Sequence, residues 1–204
     1  GLGCGLDGAG VEAGGPPPLP PGAGPVDVWA PYWTLADMLP FTDARLAQVR
    51  EVSPFWYGAR GATEIVVDEN ASTDAIDQFL ERARASDARV APSIRDEMPT
   101  GGMAAVLADP SLRASHVDTI VAFAEQLDAD GIDLDYEQFA FADGADSWAA
   151  TSPNWVAFVA ELSAALHDDD RTLTVSIPAV FDEAVTGTRG YWVYDHGAIA
   201  EHVD

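Results

Sequence analysis

The chain has 204 residues and a net charge of −24, and its ten Lys and Arg residues are all arginines. This balance argues against nucleic acid as a partner and against electrostatic docking on anionic lipid, and solubility explains it more simply than a cationic partner does. Hydrophobic residues make up 48% of the chain, as in folded globular proteins, and no apolar run approaches the about 20 residues of a membrane span.

Residues 1–25 are predicted to form a tether outside the fold. The stretch "VEAGGPPPLPPGAGP" (11–25) is rich in Pro and Gly, so it buries little surface and stays extended. Near its start, Leu2-Gly3-Cys4 is similar to the end of a bacterial lipoprotein signal, although the apolar segment that precedes such a cysteine is absent. Cys4 is therefore either a lipid anchor at the cell envelope or an incidental thiol.

From Val26 onward, strand and helix patterns alternate along the chain. The predicted strands are 26–33, 51–58, 88–94, 131–137 and 172–180. The predicted helices are 42–50, 72–87, 109–129 and 152–168, with another starting at 195. Ser152 is expected to cap the fourth helix, with Pro153 in its first turn.

This alternation predicts an α/β fold with a parallel sheet, either an open doubly wound sheet or a (β/α)8 barrel. A nucleotide-binding open sheet usually has a glycine-rich first turn, and "APYWTLADM" (30–38) contains no glycine. We therefore expect residues 26–204 to form a TIM barrel. Because a full barrel takes about 250 residues, it is expected to be truncated after about five βα units.

The predicted strand at 131–137, "GIDLDYE", carries an unusual row of acids. Side chains two residues apart in a strand share a face, so Asp133, Asp135 and Glu137 point one way and the apolar residues between them point the other. In a barrel the apolar face packs under helices and the acids point toward the axis. Glu137 then reaches the carboxyl end of the strand, where barrel enzymes place their chemistry. Desolvation and like charges should raise at least one pKa in this row, which suits a general acid.

"DGIDLDYE" (130–137) fits D-G-x-D-x-D-x-E throughout and thereby resembles glycoside hydrolase family 18, which includes chitinases, endo-β-N-acetylglucosaminidases and cell-wall or spore-cortex glucosaminidases. "VDVWAPYW", "EVSPFWYG", "LTVSIPA" and "YDHGAIAEHVD" are similar to other parts of that barrel. The aromatic second strand and the Pro in "VAPSI" look more like the bacterial cell-wall and cortex-lytic branch than like the classical chitinases.

The resemblance implies retaining hydrolysis in which the substrate's own 2-acetamido oxygen is the nucleophile. It implies that Glu137 protonates the leaving oxygen and then activates water, that Asp135 orients the acetamido group, and that Asp133 tunes Asp135. The implied substrate is an N-acetylglucosamine polymer, with chitin, peptidoglycan and glycoprotein glycans all open. The family's Tyr on the sixth strand and Trp on the eighth would lie beyond Asp204.

Aromatic side chains near the ends of the first two strands are candidates for stacking on sugar rings, with core filling as the alternative. Ser93 is the one residue of "SIRDEM" that matches the family's third-strand motif, S-x-G-G. The substrate-binding candidates are Tyr32, Trp33, Trp56, Tyr57 and Ser93. The four histidines lack metal-ligand spacing, so no metal or cofactor is expected.

The leading hypothesis is an exported bacterial glycoside hydrolase, extracellular or attached to the cell envelope. A carbohydrate-binding barrel that has lost catalysis is the main alternative, although Glu137 and Asp135 are both present. A substrate-binding lipoprotein is a third reading that depends only on Cys4 and the tether.

Overall fold

One sheet organises the part of the chain that the structure, a computed structural model, describes: residue 24 and residues 26–204. Its strands are β1 (Val26–Pro31), β2 (Val49–Gly61), β3 (Glu64–Val67), β4 (Arg89–Val90), β5 (Ser93–Asp96), β6 (Gly131–Asp135) and β7 (Thr172–Val175). Strands β1, β2, β5, β6 and β7 are parallel neighbours in chain order. Strand β4 also pairs in parallel with β2, and β3 pairs antiparallel with it. The predicted α/β class with a parallel sheet is confirmed.

Helices fill the connections between the strands. They are α1 (Tyr32–Met38), α2 (Thr42–Leu46), α3 (Thr73–Arg84), α4 (Gly102–Ala108), α5 (Pro110–Leu127), α6 (Gln138–Asp143), α7 (Trp148–His167), α8 (Glu183–Thr186) and α9 (His196–Ile199), with 3-10 turns at Leu39–Phe41 and Trp192–Tyr194. Across residues 26–204, none of the helices has both the length and the apolar composition needed to cross a bilayer. The predicted tether and Cys4 lie outside the described residues, apart from Gly24.

The sheet is curved like part of a barrel wall. At about 4.8 Å per strand step, a flat sheet would separate β1 from β6 by about 14 Å. Yet the indole Nε1 of Trp29 on β1 donates a hydrogen bond to Asp133 Oδ2 on β6 over 3.2 Å. The two inner faces therefore converge, as expected of a truncated barrel.

The outer face of the sheet forms the core with the helices that cover it. Ile132, Leu134 and Tyr136, which alternate with the acids of β6, are fully buried. The Tyr136 ring stacks on Phe158 of α7 with 6.0 Å between ring centroids. Burial of such large side chains is the main stabilising contribution to a fold of this kind.

Several predicted helix boundaries were wrong, and α3 ends at Arg84 rather than at residue 87. Helix α7 begins at Trp148 rather than at Ser152, so Pro153 lies inside it and Ser152 does not cap it. The Trp148 side chain is buried, and its Nε1 donates to Ala140 O over 3.3 Å. These contacts stabilise the additional first turn of α7. Helix α2 ends at Leu46, because Val49 already pairs with Val26 in the sheet.

The predicted strands were also revised. The first strand ends at Pro31, where Tyr32 starts α1, and the third divides into β4 and β5 on either side of residues 91–92. The acidic strand ends at Asp135 and the fifth at Val175. Strand β3 and helices α1, α4, α6 and α8 were missed. Strand β3 forms by local hairpin pairing with β2, in which Gly61 lies opposite Glu64.

Candidate active site

The inner face of the sheet is polar and carries the predicted acids. On β6, Asp133 is 3% exposed, while Asp135 is partly buried. The strands on either side of β6 follow the same alternation. Ser93 and Arg95 of β5 lie opposite Asp133 and Asp135. Thr174 of β7 lies opposite Asp133. The predicted parity of the acidic strand therefore holds in the structure.

Asp133 is held by donors from two other parts of the sheet. Besides Trp29, its carboxylate accepts hydrogen bonds from Thr174 Oγ1 at 3.0 Å and Ser176 Oγ at 3.1 Å, both to Oδ1. The same four residues line part of a cavity of about 370 Å³. Three donors fix both oxygens of Asp133 in place, so its carboxylate is held rigidly beside Asp135.

The surroundings of Asp135 favour the protonated form of its carboxyl group. Burial, assisted by the negative charges of Glu137 and Asp133, raises the pKa of Asp135 to about 7, and the positive charge of Arg95 opposes the rise. Near neutral pH this carboxyl is therefore divided between its acid and its base forms.

Glu137 lies beyond the strand, as the residue immediately before α6. Its carbonyl oxygen accepts hydrogen bonds from the amides of Ala140 at 3.1 Å and Phe141 at 3.2 Å, which anchor its backbone to the first turn of the helix. Burial raises the pKa of Glu137. In residues 26–204 no hydrogen bond holds its carboxyl group, which is free to face a substrate.

A buried network supports the acidic strand from behind. His116 Nδ1 lies 3.0 Å from Ala62 O, and His116 Nε2 lies 2.8 Å from the Tyr136 hydroxyl. Burial lowers the pKa of His116, which favours the neutral ring. A carbonyl can only accept, so Nδ1–H donates to Ala62 and Nε2 accepts from Tyr136. The residue between Asp135 and Glu137 is thereby fixed.

Arg95 is a residue of this site that the sequence reasoning missed. Its NH2 group donates to Asp68 Oδ2 at 2.9 Å and to Glu97 Oε1 at 2.7 Å, and its guanidinium lies 5.4 Å from the Phe55 ring centroid. The alternation in "SIRDE" places Ser93, Arg95 and Glu97 on one face, beside the acidic strand. That pattern could have identified Arg95, just as the alternation in "TLTVS" could have identified Thr174 and Ser176.

The predicted substrate-binding residues divide into two groups. Trp33 is 62% exposed and packs edge-on against Tyr32, which is partly buried, with 5.2 Å between ring centroids. Trp56 and Ser93 are fully buried and Tyr57 is 4% exposed, so the structure does not present these three side chains to a ligand.

A β-bulge explains the correction at Trp56 and Tyr57. Phe55 pairs with Ser93 but Tyr57 pairs with Ile94, so two steps on β2 match one on β5. Consecutive side chains then share the outer face. Trp56 packs on Phe79 of α3 at 5.8 Å between centroids, and Tyr57 packs on Phe123 of α5 at 4.8 Å.

A larger cavity, of about 720 Å³, lies away from the acids. It is lined by residues of α2, α3 and the start of β2, among them Leu46, Val49 and Gln78. Barrel enzymes place their chemistry at the carboxyl ends of the strands, and Val49 begins its strand. The candidate active site is therefore the inner face around Asp133, Asp135 and Glu137.

Comparison with known proteins identifies the family of this chain. The family model described as glycosyl hydrolases family 18 matches residues 48–204. No match was found among curated protein sequences.

Several solved structures share the fold. A class V chitinase from Pseudomonas fluorescens matches with a TM-score of 0.67 and 19% identity, over 89% of this chain and 52% of its own. A chitinase from Chromobacterium violaceum matches with a TM-score of 0.62 and 21% identity, over 87% and 53%. The spore cortex-lytic enzyme SleL from Bacillus megaterium matches with a TM-score of 0.65 and 13% identity, over 87% and 40%. The chain spans about half the length of these structures.

Proposed function

The chain belongs to glycosyl hydrolase family 18, and we propose that the protein it forms part of hydrolyses β-1,4 bonds in N-acetylglucosamine-containing polysaccharides, with retention and substrate assistance. The carrying observation is the inner row of acids: Asp133 is fixed by three donors, and the pKa values of Asp135 and Glu137 are raised. This arrangement suits substrate-assisted hydrolysis, which needs a protonated general acid and a carboxylate that positions the substrate but no nucleophile from the enzyme.

The first step of the proposed mechanism breaks the glycosidic bond. Glu137 transfers its proton to the leaving oxygen while the acetamido carbonyl oxygen of the substrate attacks the anomeric carbon. The C–O bond breaks, and a cyclic oxazolinium ion forms on the sugar. Asp135 accepts a hydrogen bond from the acetamido N–H and stabilises the positive charge that develops.

The second step returns the enzyme to its starting state. Glu137, now ionised, removes a proton from water, and the hydroxide opens the oxazolinium ring at the anomeric carbon. Two inversions give net retention. Burial raises the pKa of Glu137, which favours its acid form before the first step. The same raised pKa makes its carboxylate a stronger base toward water in the second step.

Trp33 is the candidate for sugar stacking that the geometry favours. Its indole is 62% exposed, and its edge-on contacts with Tyr32 and with Phe55, at 5.2 and 5.9 Å between centroids, hold it upright. An exposed, supported aromatic face suits a pyranose ring. Since polymers of this kind lie outside cells, we also propose an extracellular or envelope location, which fractionation of the native source would test.

Carbohydrate binding without catalysis is the second candidate, because the polar inner face and Trp33 would serve a lectin equally well. The presence of Glu137 and Asp135, which binding alone does not need, favours the enzyme.

The deciding experiment uses the full-length protein with chitooligosaccharides and with purified peptidoglycan sacculi. Wild type should cleave at least one of them, and Glu137→Gln should abolish cleavage while binding persists. Glu125→Gln, an exposed change on α5, is the matched control and should keep full activity. A wild-type protein that binds both substrates and cleaves neither would establish the binding alternative.

A further inference from the structure

The backbone at Glu137 lies beyond the last hydrogen bond between β6 and β7. Strand β6 ends at Asp135, and its ladder with β7 continues only as far as Ser176, whose amide donates to Leu134 O over 2.7 Å. Earlier in the same ladder, Thr172 N donates to Asp130 O over 3.1 Å. Donors and acceptors advance together by two residues in a parallel pair, so the next bond would run from residue 178 to Tyr136 O.

Residue 178 is proline and has no amide hydrogen. The ladder therefore cannot satisfy the Tyr136 carbonyl, and Tyr136 is fully buried, so water does not reach it either. A buried carbonyl without a partner is costly.

A side chain from a distant segment supplies the missing donor. The hydroxyl of Tyr194, in the 3-10 turn before α9, donates to Tyr136 O over 2.7 Å. Tyr194 is itself fixed, since its carbonyl accepts from Trp155 Nε1 over 3.1 Å and its ring packs edge-on against Phe139 at 5.4 Å between centroids.

We propose that Tyr194 is a positioning residue, whose hydroxyl replaces the bond that Pro178 cannot make and thereby fixes the peptide between Tyr136 and Glu137. The atom it holds is the carbonyl of that peptide, so a shift there moves the Glu137 backbone directly. In residues 26–204 no hydrogen bond holds the Glu137 carboxyl, and its placement depends on this backbone. The inference rests on the proposed role of Glu137 as acid and base.

The test combines Tyr194→Phe with Pro178→Ala in the full-length protein, using a chromogenic N-acetylglucosamine oligosaccharide. Tyr194→Phe should lower kcat about tenfold or more, because small misplacements of a catalytic group are costly, while KM stays within about twofold. Pro178→Ala restores an amide hydrogen where the ladder needs one, so the double variant should recover most of kcat. Pro178→Ala alone should resemble wild type.

A wild-type kcat in Tyr194→Phe, or a loss confined to KM or to thermal stability, would overturn the proposal. So would a loss of kcat that Pro178→Ala fails to restore, because the hydroxyl would then act by another route.

A second readout needs no turnover. Hydrogen exchange at the Ala140 and Phe141 amides, which donate to Glu137 O, should accelerate in Tyr194→Phe and slow again in the double variant. Unchanged exchange would contradict the positioning role. If wild type cleaves no substrate while the two variants show this exchange pattern, the proposed function is refuted and the positioning role is still supported.

Discussion

Strands β2 and β6 carry the two clearest site signals in the sequence, and they behave differently in the fold. On β6 the regular pairing of Ser93 with Asp133 and of Arg95 with Asp135 keeps the acids on the inner face. On β2 the bulge between Phe55 and Tyr57 turns Trp56 and Tyr57 outward into the core. Alternation along a strand predicts which side chains face a site only where the ladder is uninterrupted.

The largest effect expected from this comparison is at Trp56. Trp56→Ala should lower the free energy of unfolding by about 3–5 kcal/mol, because it empties a fully buried site against α3. Denaturant unfolding measures this, and activity per folded molecule should be retained.

Trp33→Ala is the matched control for Trp56→Ala. Its side chain is 62% exposed, so unfolding should change by no more than about 0.5 kcal/mol, while substrate binding weakens. Equal stability losses in the two variants would contradict the burial of Trp56 against α3.

A medium effect is expected on β6, where the Asp135 carboxyl titrates. The pKa of this group is about 7 in the folded protein and near 3.8 without the fold, so the folded state holds the proton more tightly. Ionising it therefore costs stability as pH rises between these two values. Asp135→Asn removes that cost and should stabilise the protein by about 2 kcal/mol at pH 8, a figure that discounts the full shift for partial exposure.

At pH 3 the same Asp135→Asn variant should match wild type in stability, because the carboxyl is then protonated in both states. Thermal unfolding across this pH range measures the difference, and a gain in stability that is equal at both pH values would contradict the raised pKa. Catalysis should be lost at every pH, since the amide cannot accept the acetamido N–H in the same way.

The smallest effect concerns the support beneath Asp135. Thr174→Val removes the donor to Asp133 Oδ1 while keeping the shape of the side chain, and should cost about 1 kcal/mol of unfolding free energy. Thr63→Val, an exposed change outside the site, is its control. A Thr174→Val variant as stable as wild type would show that Ser176 and Trp29 suffice to hold Asp133.

Much of the site was predictable because it depends on local pattern. The D-G-x-D-x-D-x-E spacing, the apolar residues between the acids and the alternation of strands with helices all follow from side-chain direction in a strand and from helix periodicity. They gave the parallel sheet, the inward acids and the expectation of a raised pKa, which falls on both Asp135 and Glu137.

Other features depended on contacts between residues far apart in the chain. The bond from Trp29 to Asp133 spans 104 residues, and the bond from Tyr194 to Tyr136 spans 58. The early start of α7 likewise follows from burial of Trp148, whose ring packs against Tyr191 and Trp192. A single sequence does not encode such contacts as a local pattern, because they form only when distant segments pack together.

The sequence by itself determined the family, the parallel α/β fold and the row of acids, because the spacing of side chains along one strand is enough to separate its two faces. The tertiary structure decided which aromatics are buried, what holds Asp133, and how the backbone before Glu137 is secured once Pro178 ends the ladder. These depend on where a strand bulges and which distant donors reach a buried acceptor, and only packing in three dimensions sets both.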